Sequence, residues 1–279
     1  VFWILAGIAA VVEVASASHG DSIASKILAD SKQEPPYHVT GPLVSVVIPT
    51  YHEEDYIEAA LLGIKNQTYG PIEIVISDAS QDQEAIDKIT NISSIYGCTM
   101  VHTFIKNISL GRNLGAEAAI GDILIFLDAD CVMAQNFVEK LVSHLSDTIK
   151  LSHGLDVFYL APVIHQSMRI LISNNKPYTY TSGRGICIHK EDFNEIGKYN
   201  IDIDPTQPHM REDLDIGRKV IQQWGSDSIY LDKTAFVAEA YRRPFSAVAL
   251  TDKAWTHRGY RSGQAIDGLS LSQNIKGEF

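Results

Sequence analysis

The chain has 279 residues, 45% of them hydrophobic and 20% charged, a balance that supports a well-cored α/β domain and exceeds a minimal module. With 34 acidic against 23 basic residues its formal net charge is −11, and no Lys/Arg run relieves it, which excludes an ordinary nucleic-acid binder. Cys98, Cys131 and Cys187 are widely spaced with no C-x-x-C pair, so neither a zinc site nor a disulfide framework is expected and a reducing compartment fits.

In chain order, the first feature is an unbroken apolar run from Val1 to Val12, closed by Glu13. It is shorter than the ~20 residues that span a bilayer. Trp3 and the small residues around it suit a membrane-proximal anchor. That reading places the rest of the chain at the cytoplasmic face of a membrane, with a soluble cytoplasmic protein as the alternative. Residues 14–43 are polar and end in Pro35-Pro36 and Gly41-Pro42, so 1–42 reads as apolar segment plus linker.

A β/α alternation begins at Leu43. Val44-Ser45-Val46-Val47-Ile48 has the β-branched, nearly continuous apolar character of a buried parallel strand. Ile57, Ala60, Leu61 and Ile64 then repeat at i, i+3, i+4 and i+7, one face of a helix. Ile72–Ile76 reads as a second strand, and Ser80-Gln81-Asp82-Gln83 as a capping box before a helix carrying Ile86 and Ile89. A third strand is expected at Thr99–Phe104, and Ser109 is the expected cap of a helix running through Ile120 to a stop at Gly121. Asp122–Leu127 is the fourth strand, and Gln135–Leu145 an amphipathic helix.

Four strands separated by helices predict a doubly wound, mainly parallel sheet, whose ligands sit beyond the carboxyl ends of the strands. Polar groups gather there: Pro49-Thr50-Tyr51-His52-Glu53 after the first strand, Asp78 after the second, Asp128-Ala129-Asp130 after the fourth. In extended chain, residues i and i+2 point the same way, so Asp128 and Asp130 can face one spot. Two hard oxygen ligands suit Mn²⁺ or Mg²⁺, though a pair of solvated aspartates in a turn has the same sequence.

Taken together, V-S-V-V-I-P-T-Y-H-E-E (44–54), V-I-S-D-A-S (75–80), G-R-N-L-G (111–115) and I-F-L-D-A-D (125–130) resemble the family 2 glycosyltransferases of GT-A fold. T-S-G-R-G-I-C-I-H-K-E-D-F-N-E-I-G-K-Y (181–199) and R-E-D-L-D-I-G-R-K-V (211–220) extend the likeness to roughly 43–240. The resemblance implies a nucleotide-binding half (43–132), an acceptor half (133–240) and a C-terminal extension (241–279). It also implies inverting, metal-dependent transfer from a nucleoside-diphosphate sugar to a glycan, lipid or other hydroxyl acceptor. Carried onto this sequence, Pro49, Thr50, Tyr51 and Glu53 would line base and ribose, and Asp78 would hydrogen-bond the base. Arg112 would help hold the nucleotide, Gly183 would sit in the donor-side loop, and Asp128, Ala129 and Asp130 would meet ribose, sugar and metal. Asp213 would be the general base, with Glu212 beside it.

Two positions depart from the family pattern: His52 stands where Asn is usual, and Ser77-Asp78 where two acids are usual. The Q-x-x-R-W signature of processive synthases is absent, since Gln222-Gln223-Trp224 does not fit it, so transfer of single sugars is expected. Each residue also has a plainer reading: Gly111 and Gly115 in close helix packing, Glu212 and Asp213 as first-turn acids favoured by a helix dipole. His257 is either a further metal ligand or a surface histidine. A nucleotide-sugar-binding domain without turnover, or a phosphohydrolase built on Asp128-Ala129-Asp130, are the competing functions.

Overall fold

The computed structural model of the chain describes residues 18–159, 181–203 and 211–241. The apolar run at 1–12, His257, and all of the 241–279 extension but Tyr241 lie outside them. Among the described residues no helix is long and apolar enough to cross a membrane.

Eight strands form one sheet: β1 (Val39–Thr50), β2 (Tyr69–Asp78), β3 (Thr99–His102), β4 (Ile123–Phe126), β5 (Cys131–Met133), β6 (Leu151–Tyr159), β7 (Ile186–His189) and β8 (Ile229–Ala240). Their order is β3-β2-β1-β4-β7-β6-β8-β5. The β3-β2-β1-β4 half is parallel throughout, as the sequence pattern predicts. Beyond β4 the sheet is mixed: β7 runs antiparallel to both β4 and β6, β8 parallel to β6, and β5 antiparallel to β8.

The described helices are α1 (18–30), α2 (Ile57–Lys65), α3 (Gln83–Tyr96), α4 (Ile108–Ala118), α5 (Phe137–His144), α6 (Lys190–Glu195) and α7 (Glu212–Trp224). Strand alternation divides the core between the two faces of the sheet. Val44, Val46 and Ile48 of β1 pack with Ile57, Leu61, Ile89 and Leu141 on one face. Val47 packs with Ala116, Phe193, Ile216 and Val220 on the other. A smaller cluster seats Ala24 and Ile27 of α1 against Val132, Val157 and Ala238. Part of the segment that reads as a linker is therefore a docked helix; two buried apolar positions in a polar stretch make too thin a stripe for periodicity to reveal.

Local chemistry moves three expected boundaries. Asp82, not Ser80, caps α3, its carboxylate accepting from Ala85 N at 2.9 Å. Asn107, not Ser109, caps α4 by accepting from Leu110 N at 3.0 Å, while Ser109 is buried inside the helix. The helix ends at Ala118, and Gly121 serves the approach to β1: a Cβ there would lie 2.7 Å from Leu43 O and 2.6 Å from Ser45 Oγ. Gly115 behaves as its packing reading predicts, since a Cβ would stand 2.4 Å from Val47 Cγ1.

The strand order carries the functional consequence. From β1 the chain winds outward to β2 and β3, then returns across the sheet to β4 on the far side of β1. Connections leave β1 and β4 in opposite directions, which opens a crevice above their carboxyl ends.

A cleft at the switch point between the first and fourth strands

That crevice is lined by Pro49, Thr50, Tyr51 and Glu53 from the end of β1 and by Asp128, Ala129 and Asp130 from the end of β4. Gly111 and Arg112 of α4, Gly183, and Glu212 and Asp213 at the start of α7 complete most of the wall. Among the anticipated site residues, Asp78 does not line it. Ser77 and Ala79 face the cleft instead, and Asp78 is fully buried. Its Oδ1 accepts from Thr50 Oγ1 at 2.8 Å, Ser80 Oγ at 2.8 Å and Ser80 N at 3.2 Å, while Oδ2, 3.7 Å from His102 Nε2, accepts no hydrogen bond among the described residues. Asp78 thus fixes the Thr50 hydroxyl at the cleft edge.

His52 occupies the left-handed backbone region, with φ of 55°. Asn, Asp and His tolerate that region best among side-chain-bearing residues, so the departure at this position preserves the turn. The turn is pinned by His52 N donating to Ser80 Oγ at 3.0 Å and by His52 Nδ1 lying 3.0 Å from Asp82 Oδ2. Beside it Tyr51 presents its ring to the cleft, with Lys106 Nζ 4.0 Å from the ring centroid.

Arg112 sits beneath the centre of the cleft, its side chain 1% exposed. Nη2 donates to Asp128 Oδ1 at 2.9 Å, Nη1 donates to Glu212 Oε1 at 3.0 Å, and the guanidinium lies 5.1 Å from the Tyr199 ring centroid. The resemblance suggests a nucleotide-holding role, but both ends of this fork are committed to protein carboxylates. A Cβ on Gly183 would come within 2.1 Å of Arg112 Nη2, so that glycine makes room for the guanidinium.

A second arginine, the half-buried Arg184, lies 2.8 Å from Glu239 Oε2 through Nε, 3.8 Å from Asp156 Oδ2 through Nη1 and 4.0 Å from Asp128 Oδ2 through Nε. The Asp128 carboxyl is held above its ordinary value, chiefly by burial and further by the charges of Asp130 and Glu239, against the opposing pull of Arg112 and Arg184. Asp213 is buried at the first turn of α7, its Oδ1 accepting from Leu214 N at 2.9 Å and its Oδ2 from Arg211 Nη2 at 2.6 Å. The Thr181 hydroxyl donates to the Asp213 carbonyl, tying the loop before β7 to this helix.

Reading the sequence did not single out Arg184, Arg211, Lys106 or Glu239. Arg184 and Arg211 stand inside quoted motifs, adjacent to Gly183 and to the Glu212-Asp213 pair. Glu239 carries its own signal, a carboxylate within the apolar Phe236-Val237-Ala238 end of a strand.

The donor set bears on a metal. Among the described residues no group of three or more His, Cys, Asp or Glu side chains forms a metal-holding cluster. Asp128 and Asp130 line the cleft together, and the charge of Asp130 destabilises the ionised form of Asp128. Two crowded carboxylates fit a hard divalent cation that takes its remaining oxygens from water and substrate, and do not fit a cation needing a full protein cage.

The fold and cleft define an α/β domain with two acidic pairs converging on one crevice. Structural comparison agrees. A mannosyltransferase from Pyrobaculum calidifontis in complex with GDP-Man and Mn²⁺ superposes with a TM-score of 0.61 at 16% identity, covering 94% of this chain and 77% of that one. GalNAc-T7 with UDP, GalNAc and Mn²⁺ gives a TM-score of 0.58 at 18% identity over 84% of this chain and 54% of that one. The fold is GT-A.

The family model for glycosyl transferase family 2 matches residues 45–199, more than half of the chain, and the chain belongs to that family. Similar curated proteins include an uncharacterized glycosyltransferase of Haemophilus influenzae, 33% identical over 118 residues (40% of this chain, 46% of the relative). Glycosyltransferase AglE of Haloferax volcanii is 30% identical over 163 residues (56% and 47%). The Escherichia coli UDP-Glc:alpha-D-GlcNAc-diphosphoundecaprenol beta-1,3-glucosyltransferase WfgD is 26% identical over 113 residues (40% and 45%). This chain spans just under half the length of each of these relatives.

Proposed function

We propose that the chain transfers a sugar from a nucleoside-diphosphate sugar to an acceptor hydroxyl, with inversion at the anomeric carbon and with the help of Mn²⁺ or Mg²⁺. The observation that carries this reading is the convergence of Asp128-Ala129-Asp130 and Glu212-Asp213 on one cleft at the topological switch point. On this reading residues 43–132 form the nucleotide half and 133–240 the acceptor half, with Arg112 bracing the two.

Pro49, Thr50, Tyr51 and Glu53 receive the nucleotide, and Asp78 acts by orienting Thr50. Arg112 and Arg184 set the rotamer of Asp128, and Asp130, two residues on in the same cleft, is the principal ligand for the cation. The metal, when bound, neutralises charge developing on the departing diphosphate. Asp213 takes the proton of the acceptor hydroxyl as that oxygen bonds to the anomeric carbon. The bond from this carbon to the diphosphate oxygen breaks, and the nucleoside diphosphate leaves with the electron pair. Attack from the face opposite the leaving group inverts the configuration. A carboxylate base contributes roughly 10²–10⁴-fold to such a step. The acceptor belongs to the glycan, lipid-linked or other hydroxyl-bearing class; the name of WfgD specifies a diphosphoundecaprenol-linked acceptor for that relative.

The test is a thermal-shift screen of UDP, GDP, CDP and dTDP, each with and without MnCl₂. A ligand that binds only the folded form raises stability by RT ln(1 + [L]/Kd). A metal-dependent rise for one nucleotide is expected and names the donor base; no rise for any of them overturns the reading.

A further inference from the structure

Arg211 is not part of the assigned machinery, yet it lines the same cleft as Asp128 and Asp130 and meets the Asp213 carboxylate at 2.6 Å. Both line the cleft, and the Arg211 side chain is 23% exposed against 3% for Asp213, so the guanidinium is the more accessible of the two. The pair is also local, because Arg211 stands at the N-cap of α7 and Asp213 in its first turn. Both Asp213 oxygens are engaged, Oδ1 by Leu214 N and Oδ2 by Arg211. Each oxygen keeps a second lone pair that can receive a proton, but a guanidinium held against Oδ2 stabilises the ionised carboxylate and so weakens it as a base. A diphosphate offers Arg211 a stronger, bidentate oxygen partner than a single carboxylate oxygen does.

We propose that Arg211 is shared between Asp213 and the diphosphate of the donor, so that donor binding draws the guanidinium off Asp213 and releases the base for the acceptor. This inference rests on the transferase reading above. It makes Arg211 both a diphosphate ligand and the residue that keeps Asp213 engaged until the donor arrives.

Competition for one guanidinium has a thermodynamic signature that a static ion pair lacks. Removing the carboxylate frees Arg211 for the diphosphate, so Asp213→Asn tightens nucleotide binding, and the gain exists only while Arg211 is present. The experiment is calorimetric titration of UDP, GDP, CDP and dTDP, with MnCl₂, into wild type, Asp213→Asn, Arg211→Gln, Arg211→Lys and the Asp213→Asn/Arg211→Gln double variant. For the nucleotide that wild type binds, Asp213→Asn is expected to gain about tenfold and Arg211→Gln to lose about tenfold, the scale of one charge-assisted hydrogen bond. Arg211→Lys keeps most of the affinity, and the double variant matches Arg211→Gln. Unchanged or weaker binding by Asp213→Asn overturns the proposal, as does a gain that persists without Arg211, which would be general relief of negative charge. If wild type binds none of the four nucleotides, the transferase reading itself falls and this inference with it. Binding by wild type with no response in Asp213→Asn sinks only the role of Arg211.

Discussion

The Arg112 guanidinium meets the Glu212 carboxylate at 3.0 Å across 100 residues of sequence, while its other arm holds Asp128 at 2.9 Å. One side chain from α4 therefore joins the end of β4 to the start of α7, the two places where the acidic pairs stand. Removing it leaves Glu212 buried beside Asp128 with no countercharge from Arg112. Arg112→Leu should cost about 3 kcal/mol or more, as breaking a buried pair commonly does. Arg112→Lys should recover little, because one ammonium cannot reproduce a fork that spans two carboxylates. Urea unfolding measures both, and a loss below about 1 kcal/mol for Arg112→Leu would show that the bracket is dispensable.

Gly183→Ala should act through the same arginine. The added Cβ would stand 2.1 Å from Arg112 Nη2, and that group, held by two carboxylates, has nowhere to retreat without leaving one of them. Overpacking of this kind typically costs about 1–3 kcal/mol. The variant should unfold at lower denaturant and bind nucleotide more weakly; a wild-type midpoint together with wild-type affinity would refute the steric account.

Asp130→Asn removes the cleft carboxylate proposed as the principal ligand of the cation. Nucleotide binding should then lose its dependence on Mn²⁺ while the protein stays folded. Titration of nucleotide with and without MnCl₂ settles this, and metal dependence of wild-type size in the variant would reassign the ligand.

The half-buried pair of His144 and Asp232 supplies a pH prediction away from the site. Burial alone would raise the Asp232 carboxyl, but hydrogen bonds from His144 and Thr234 outweigh it and hold the group below its ordinary value. A carboxyl lowered in the folded state contributes stability above its unfolded value of about 3.9, and that contribution is lost as pH falls through the lower folded value. Wild type should therefore exceed Asp232→Asn in stability at pH 6, with the gap shrinking as pH drops below about 4. A gap that stays constant or widens on acidification contradicts the assignment.

Much of the parallel half was legible because buried parallel strands read as apolar runs; Val44–Ile48 and Ile72–Ile76 both fall inside the observed β1 and β2. The cleft was legible for a related reason, since strand ends locate ligands once the winding is known. Cap residues were harder. Ser80 and Ser109 have the right chemistry, but Asp82 and Asn107 lie at the positions from which a side-chain oxygen reaches the first free N–H groups. Charge partners were harder still. Arg184 and Glu239 are 55 residues apart and meet only because β7 and β8 join the same sheet, so no local pattern links them. The residue expected to meet the base, Asp78, faces inward, where its Oδ1 accepts from Thr50 and Ser80, an arrangement set by the register of β1 on β2.

The measurement that bears most directly on the transferase reading is release of nucleoside diphosphate from UDP-, GDP-, CDP- and dTDP-sugars, with MnCl₂ and with water or added sugars as acceptor. Wild type, Asp130→Asn and Asp213→Asn are compared. Wild type should release one nucleotide, with metal required. Asp213→Asn should bind that donor at least as well and release its nucleotide roughly 10²–10⁴-fold more slowly. Release by Asp213→Asn at the wild-type rate would contradict the account, because the carboxylate placed at the reacting hydroxyl would then do no catalysis.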